Sequence, residues 1–294
     1  MAYLAQSPQF YKQIMVGVFE RVYEVGPVFR AEPHDTVRHV NEYVSLDVEF
    51  GFIENHFTVM AMLREVIHGI MDGLARYCPD ELALLNAAMP SVPQTIPHIH
   101  FHEAQELIFQ KHGVDVRGEP DLSPQDERWL GAWAQEEFNS DFLFVVGYPM
   151  GKRPFTPPSP ADPTYANSFD LLFRGTELVT GGQRLHRYED YLSALARAGH
   201  PTEPFATYLE AFRYGMPPPA ASPSDWNGCS CSCWGCRICA WRRSSAGSGA
   251  VDALMGCRID VVEMGRCTST DVPCPGALSM VTAPPCLAIR SRME

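Results

Sequence analysis

At 294 residues the chain is long enough to bury a large core, and 23 lysines and arginines against 35 aspartates and glutamates give it a formal net charge of −12. A charge of this sign argues against bulk nucleic-acid binding through a basic surface. No basic segment followed by an apolar stretch opens the chain, and no run approaches the roughly 18 apolar residues of a membrane span. The composition therefore predicts a soluble, cytoplasmic protein.

The first predicted elements are a helix, two strands and the loop between the strands. Ser7 and Pro8 are typical of a helix start, with the serine as N-cap and the proline at the first helical position. Residues 22–29 and 43–50 are rich in β-branched and aromatic residues, which favours one strand that enters a loop and one that returns. Arg30 then lies at the end of the first strand.

Later elements follow from hydrophobic periodicity and from capping residues. Apolar residues at helical spacing predict an amphipathic helix over residues 56–77 that packs on a sheet. Ser123 and Pro124 are a typical N-cap and first helical residue. The remaining predictions are a loop over 90–97, helices over 103–110, 123–138, 187–198 and 204–213, and a buried strand over 142–146.

Residues 29–42 carry charged and aromatic side chains in a fixed order, Phe-Arg-x-Glu-x-His-x-Thr-x-Arg-His-x-x-Glu. Isolated charges of this kind usually form a solvated loop, but an ordered set of this length seldom arises by chance. An arginine at a strand end suits a phosphate, because its planar guanidinium stays charged and contacts two oxygens at once. Arg30, which is expected at the end of the first strand, has these properties.

This run resembles the ATP-binding signature of the class II aminoacyl-tRNA synthetases of the aspartyl and asparaginyl branch. Such enzymes bring the carboxylate of an amino acid to the α-phosphate of ATP, so catalysis depends on positioning and on stabilising the growing negative charge. The resemblance implies Arg30 on the α-phosphate and Glu32 on the adenine amine, with Arg38 and His39 in the same ATP-binding site. It also implies that the loop contacts the acceptor end of tRNA.

Residues 5–13 resemble a second element of the same family, Gln-Ser-Pro-Gln followed by a lysine. In the family the last glutamine and the lysine line the amino-acid pocket. The resemblance therefore implies that Gln9 and Lys12 bind aspartate. Taken alone, the element predicts only a helix start.

Residues 168–186 resemble a third element, Ser-Phe-Asp…Gly-x-Glu…Gly-x-Gln-Arg-x-His. It implies that Glu177 holds ATP-bound Mg²⁺, an ion that prefers hard oxygen ligands together with substrate phosphates. Thr180 keeps the hydroxyl of the serine that is often a second ligand. Arg184 is implied to bind the side-chain carboxylate of the substrate and to reject asparagine, whose amide satisfies only part of the guanidinium. Without the other motifs, Glu177 and Arg184 predict an ordinary cross-strand ion pair.

The three elements, spread over residues 3–217, imply an α+β fold: an incomplete class II synthetase antiparallel β-sheet flanked by helices. They imply an aspartyl enzyme of archaeal or eukaryotic type that uses ATP and Mg²⁺ to make aspartyl-adenylate and passes aspartate to tRNA-Asp, with tRNA-Asn left open. Because the chain starts just ahead of the second element, we expect it to lack the anticodon-binding barrel and the dimer-forming motif. That puts the family's homodimer in doubt.

Three alternatives stay open at this point. The nearest two are an asparaginyl-tRNA synthetase and an asparagine synthetase-like paralogue. The third is a non-catalytic, metal-binding remnant of a synthetase, suggested by the cysteines of the last quarter of the chain.

Composition changes abruptly near Pro219. Nine of the ten cysteines lie at or after Cys229, and residues 229–239 contain overlapping Cys-x-x-Cys pairs. Such pairs are typical of metal or disulfide sites. However, no second knuckle follows at a standard spacing, and a disulfide scaffold conflicts with a cytosolic protein. The segment is rich in proline, glycine and serine without periodicity, so we expect it to be poorly structured.

A shift of reading frame gives a better account of the tail. The family continues Gly-Met-Pro-Pro-His-Gly-Gly and then Gly-Ile-Gly-Leu-Glu-Arg, which supplies a second ATP-binding arginine, whereas residues 215–221 are Gly-Met-Pro-Pro-Pro-Ala-Ala. Loss of one base from a histidine codon produces this change. In the restored frame, the codons of residues 225–227 must specify Leu-Glu followed by Arg or Trp.

The sequence therefore predicts two parts. Residues 1–218 form a partial class II catalytic core, and residues 219–294 form an aberrant, largely frameshifted tail. The core then lacks the second ATP-binding arginine together with the strand and helix that carry it. Since removing one transition-state donor typically costs about 10²–10³ in rate, we expect weak or absent activity.

Overall fold

A seven-stranded sheet lies at the centre of the computed structural model, which describes residues 4–31 and 41–225, the last six as backbone only. The strands are β1 Arg21–Phe29, β2 Glu42–Phe50, β3 His98–His100, β4 Phe142–Val146, β5 Ser168–Phe173, β6 Thr176–Gln183 and β7 Ala220–Asp225. Their order is β1-β2-β7-β6-β5-β4-β3. Neighbouring strands are antiparallel, except that β3 and β4 are parallel.

Helices lie against this sheet and confirm the predicted α+β class. They are α1 Gln9–Phe19, α2 His56–Tyr77, α3 Pro79–Leu84, α4 Phe101–His112, α5 Pro124–Phe138, α6 Tyr188–Arg197 and α7 Ala206–Arg213, with a 3-10 helix, Glu203–Phe205, before the last. In this part of the chain, no helix has both the length and the apolar character needed to cross a membrane.

One face of the sheet packs against α2, the helix predicted for residues 56–77. The side chain of Asn55 accepts a hydrogen bond from the backbone N–H of Phe57 and so caps the helix start. The buried cluster on this face includes Val59, Met60, Leu63, Ile67 and Met71 from α2, and Phe142, Phe144, Val146, Phe169, Leu171, Phe173, Leu178 and Val179 from the strands. Side chains alternate along a strand, so the residues between these point to the other face.

That second face combines apolar clusters with buried polar side chains. Helices α4 and α5 cover β4 and β5 through a cluster of Phe101, Ala104, Ile108, Leu130, Ala134, Leu143, Val145, Tyr148 and Leu172. Helices α6 and α7 form another cluster, with Leu185, Tyr191, Leu195, Tyr208, Leu209 and Phe212. Ser45, Asp47 and Glu49 on β2 and Asp170 on β5 are buried on this face as well. Buried polar groups need partners, so this face is where a site is expected.

The turn between β5 and β6 packs tightly against α5. Arg174 and Gly175 have φ angles of +49° and +76°, the left-handed pair that a two-residue hairpin turn requires. A Cβ atom on Gly175 would lie 2.8 Å from the Arg128 Cα, and one on Gly131 would lie 2.4 Å from the Gly175 backbone nitrogen. Glycine at both positions therefore allows the close approach that places the start of β6 beside α5.

The remaining helix predictions hold with small shifts at the ends. Helix α5 has Ser123 as N-cap and Pro124 as its first residue, as predicted, and Ser123 and Asp126 form a capping box. Helix α1 begins one residue later than predicted, with Pro8 as N-cap. Ser7 still takes part, because its Oγ accepts from the Gln9 backbone N–H at 3.2 Å.

The sheet continues past residue 218, where the sequence predicted that the core loses a strand. Strand β7 pairs with β2 on one side and with β6 on the other, so residues 220–225 occupy an interior position. Their sequence, Ala-Ala-Ser-Pro-Ser-Asp, is poor in strand-forming residues, and Pro223 has no backbone N–H to donate. The strand position is thus set by the neighbouring strands, which explains why local sequence did not predict it.

Candidate active site

Lys12 is a buried cation on the sheet face covered by α1. Its side chain is almost fully buried, with Nζ 2.8 Å from Asp47 Oδ1 and 3.6 Å from Glu49 Oε2. Helix α1 and strand β2 supply the two sides of this contact. A buried charge is stable only when it is paired, so the two carboxylates define where the ammonium group lies.

Arg184 follows the end of β6 and reaches the same group of side chains. Its Nη2 donates to Gln9 Oε1 at 3.0 Å, and the Gln9 Nε2 donates to Glu49 Oε2 at 3.4 Å. The structure therefore brings together Gln9, Lys12 and Arg184, the three predicted aspartate-binding residues, and links them through Glu49. Arg184 Nε is buried and has no hydrogen-bond partner among the described residues.

Glu49 is the residue in this group that the sequence analysis missed. It is fully buried, and burial raises the pKa of its carboxyl, while the charges of Lys12 and Arg184 act in the opposite direction. Its Oε1 has no hydrogen-bond partner within the described part of the chain. The available signal was an acid at every second position of a predicted strand, Asp47 and Glu49, which places both on one face.

Thr180 lies in a second polar group, on β5 and β6. Its hydroxyl donates to Asp170 Oδ1, and the register pairs these two residues directly across the strands. Arg153 Nη2 contacts both Asp170 oxygens, at 2.8 and 2.9 Å. Asp170, a second residue that the sequence analysis missed, is 3% exposed. Burial raises its pKa, and the Arg153 charge opposes that rise.

Glu177 lies near this group on β6. Its backbone N–H donates to Glu127 Oε2 of α5 at 3.3 Å, and its charge contributes to raising the pKa of Arg153. In the described ranges, no three acidic, histidine or cysteine side chains cluster as a ready metal cage. Mg²⁺ usually takes one or two carboxylates plus substrate phosphates and waters, so Asp170, Glu177 and the Thr180 hydroxyl fit an ion that arrives with a nucleotide.

Arg30 lies just beyond β1 and is exposed. Its backbone N–H donates to the Asn41 carbonyl at 2.9 Å, and its guanidinium lies 5.5 Å from the centroid of the Tyr43 ring. The strand end thus holds an arginine on the same face as Asp47 and Glu49. The predicted ATP-binding residues Glu32, Arg38 and His39 lie outside the described residues.

One small cavity adjoins these residues, and a larger cleft lies elsewhere in the described part of the chain. The small cavity, of about 70 Å³, touches Gln9, Gln13 and Arg184 and is otherwise lined mainly by apolar side chains of α6 and α7. It is far smaller than the roughly 300 Å³ of typical ligand pockets, so it cannot hold a nucleotide. The larger cleft, of about 330 Å³, lies between the start of α6 and the end of α7 and contains none of the predicted site residues.

The chain matches a known family over most of its length. The family described as tRNA synthetases class II (D, K and N) matches residues 1–221. The aspartate–tRNA(Asp/Asn) ligase of Thermus thermophilus is 51% identical over 217 residues, which are 74% of this chain and 51% of that protein. The chain therefore spans about half the length of the curated relatives it matches.

Solved structures agree with this match. The aspartyl-tRNA synthetase of Entamoeba histolytica has a TM-score of 0.73 at 31% identity, covering 79% of this chain and 49% of that one. The asparaginyl-tRNA synthetase of Pyrococcus horikoshii, solved with asparaginyl-adenylate, has a TM-score of 0.72 at 26% identity, covering 79% and 54%. With the family match, these likenesses show that the chain belongs to the class II tRNA synthetases of the D, K and N group.

Proposed function

We propose that residues 1–218 form the catalytic core of an aspartate–tRNA ligase, which activates aspartate with ATP to aspartyl-adenylate and transfers it to tRNA-Asp. The observation that carries the proposal is the pair of cations, Lys12 and Arg184, held on one buried polar face and linked by Gln9 and Glu49. A buried guanidinium nitrogen that still lacks a partner in the described residues is a donor ready for a ligand oxygen.

The charges of this group suit a small zwitterion with an extra carboxylate. Asp47 and Glu49 provide negative charge for the ammonium group of an amino acid, and Lys12 and Arg184 provide positive charge for carboxylates. The guanidinium donates through two parallel N–H groups, which a carboxylate satisfies with both oxygens. Asparagine satisfies only one of them, so the arrangement favours aspartate.

The ATP end of the site is assigned to Arg30 on the α-phosphate, together with Glu32, Arg38 and His39. Glu177, with Thr180 and Asp170, would hold Mg²⁺ that arrives with ATP, and the ion would neutralise phosphate charge. Arg30 would contact the phosphate from an exposed strand end, where its guanidinium lies beside Tyr43. Asp170 is kept in place by Arg153 and by the Thr180 hydroxyl.

The activity of this chain is proposed to be weak, and residues 219–294 are proposed to be a largely frameshifted tail. The family match ends at residue 221, which supports that boundary. The unsuitable composition of β7 supports it too, because an interior strand position holds residues that seldom form strands. Independent sequencing of the gene across codons 215–245 tests the idea, and codons that exclude Gly-Gly-Phe-x-Ile-Gly-Leu-Glu-Arg in the restored frame would refute it.

Binding to the full-length chain tests the substrate directly. Calorimetry with the sulfamoyl analogue of aspartyl-adenylate is expected to show tighter binding than with the matching asparaginyl compound. Tighter binding of the asparaginyl compound would favour an asparaginyl enzyme instead. Binding of neither compound would refute the proposed site. Pyrophosphate exchange that depends on aspartate and is as fast as in a frame-restored chain would refute the proposed impairment.

The homodimer of the family and the choice between tRNA-Asp and tRNA-Asn depend on segments that the family places ahead of Gln9. Charging of both purified tRNAs by a frame-restored chain, with gel filtration of the same sample, tests these two points.

A further inference from the structure

Next to the contact between Gln9 and Arg184, three buried polar side chains form a closed ring of hydrogen bonds. Gln13 Nε2 lies 2.9 Å from the Tyr191 hydroxyl, the Tyr191 and Tyr208 hydroxyls lie 2.9 Å apart, and the Tyr208 hydroxyl lies 2.6 Å from Gln13 Oε1. The three side chains come from α1, α6 and α7 and are all buried. Water cannot replace such partners easily, so the ring depends on these three residues.

Only one set of donors satisfies the ring. Gln13 Nε2 also donates to the Leu185 carbonyl oxygen at 3.2 Å, and a carbonyl can only accept. The amide nitrogen must therefore face Leu185 and Tyr191, and Oε1 must accept from Tyr208. The Tyr191 hydroxyl then donates to Tyr208. Burial raises the pKa of Tyr191 to about 12, so its proton is present at neutral pH.

The orientation of the Gln9 amide is fixed in the same way. Its Nε2 donates to Gln13 Oε1 at 3.0 Å, so its Oε1 faces the other way and accepts from Arg184 Nη2. If the Gln9 amide turned over, its NH₂ group would meet the guanidinium, and two donors would face each other. We propose that Gln13, Tyr191 and Tyr208 are positioning residues that fix the Gln9 amide and thereby hold Arg184 ready for a substrate carboxylate.

The hydrogen bonds of Gln9 and Arg184 also affect which ligand can bind. The identity of that ligand rests on the proposed function, whereas the positioning of Arg184 does not. Both Gln9 N–H groups are used, one by Gln13 and the other by Glu49 Oε2 at 3.4 Å. Arg184 Nε is buried and has no partner among the residues described, so it is a donor that a ligand can use. A carboxylate meets this donor with either oxygen, whereas a carboxamide does so in only one of its two orientations.

The first test compares Tyr208→Phe with Tyr188→Phe in the full-length chain. Tyr208→Phe removes the hydroxyl that donates to Gln13, whereas Tyr188→Phe removes a hydroxyl that accepts from the exposed Arg213 at 2.7 Å. The measured quantity is the ratio of dissociation constants for the asparaginyl and aspartyl sulfamoyl analogues. We expect Tyr208→Phe to lower this ratio about threefold to tenfold, the value of one hydrogen bond, and Tyr188→Phe to leave it unchanged.

A second pair of variants separates positioning from the general loss of a buried amide. Gln13→Met removes the ring, and Gln105→Met removes a buried glutamine whose Nε2 donates to the carbonyls of Val116 and Glu119, in another part of the fold. Both variants are expected to lose stability, but only Gln13→Met should lose preference for the aspartyl analogue. Equal preference in the two variants would make the ring purely structural and overturn the proposal.

A third measurement needs no ligand, so it tests the positioning of Arg184 independently of the proposed function. The Arg184 Nε–H resonance, assigned in nitrogen-15 spectra by its loss in Arg184→Lys, should shift and exchange faster with solvent in Tyr208→Phe and Gln13→Met. The two controls should leave it unchanged. If the wild-type chain binds neither analogue, the proposed function fails and this resonance alone decides the positioning. If the Arg184 Nε–H resonance shifts in none of these four variants, the proposed positioning role of the ring is wrong.

Discussion

The two ends of the candidate site are built in different ways. At the amino-acid end, Lys12 and Glu49 are 2% and 0% exposed and contact named partners on two elements. At the nucleotide end, Arg30 is exposed, and its backbone is hydrogen-bonded to Asn41. Selecting one small ligand requires hydrogen-bond donors that cannot rearrange, whereas an exposed, solvated arginine is sufficient to bind a phosphate. Substrate choice should therefore depend on the folded core much more than ATP contact does.

The largest effect is expected from Lys12→Met. It leaves Asp47 and Glu49 buried without their cation, and breaking a buried pair typically costs about 3–5 kcal/mol of unfolding free energy. Urea unfolding followed by circular dichroism measures this loss. The control is Lys152→Met, which removes an exposed pair with Asp121 and should cost less than about 1 kcal/mol. Equal losses in the two variants would show that the amino-acid end is no more rigid than the surface.

Arg184→Lys should change specificity more than stability. Lysine keeps the charge but lacks the planar pair of donors, so it should distinguish carboxylate from carboxamide poorly. We expect the preference for the aspartyl over the asparaginyl analogue to fall by about 1.5–3 kcal/mol, the value of a hydrogen bond to a charged group. Arg187→Lys, at an exposed position three residues later, is the matched control in the calorimetric titration. An unchanged preference in Arg184→Lys contradicts the assignment.

Arg30→Ala is expected to lower ATP affinity without lowering stability, which distinguishes the nucleotide end from the amino-acid end. Because Arg30 is exposed, the free energy of unfolding should stay within about 0.5 kcal/mol of the wild-type value. ATP affinity, followed by fluorescence with a labelled nucleotide, should nevertheless fall at least about tenfold. Arg21→Ala removes an exposed arginine at the other end of β1 and should change neither quantity. A large loss of stability in Arg30→Ala would mean that the strand end is part of the core.

The smallest effect is a pH dependence that comes from Glu49. Burial raises the pKa of the Glu49 carboxyl above its ordinary value of 4.5. At pH values between 4.5 and the raised pKa, the folded state therefore binds more protons than the unfolded state. Stability contributed by this group therefore falls as pH rises from 4.5 through the folded pKa. Glu49→Gln should flatten this part of the stability curve in thermal unfolding at a series of pH values. Glu54→Gln, at an exposed position, should leave the curve unchanged.

Much of the fold could be predicted because the signals are local. The periodicity of residues 56–77, the Ser123 cap and the apolar run at 142–146 each determine an element through neighbouring residues alone. Strand β7 could not be predicted this way. Its place in the sheet is determined by hydrogen bonds to β2 and β6, and its own composition argues against a strand.

For the candidate site, ordered motifs pointed to residues but not to what holds them. Resemblance to family motifs singled out Gln9, Lys12 and Arg184, and the structure brings all three together. Asp170 was part of a quoted motif, yet its contacts with Arg153 and Thr180 emerge only across strands. A motif specifies which side chains occur in which order along the chain, and it contains no information on their burial.

By itself, the sequence determined the elements, their class and a short set of charged residues, because these depend on order along the chain. The tertiary structure alone decided that Glu49 joins the two cations and that Gln13 closes a ring with two tyrosines. Gln13 and the Leu185 carbonyl are 172 positions apart, so no local pattern relates them. Their contact exists because packing α1 against α6 and α7 removes water from polar groups, which must then find partners inside the protein.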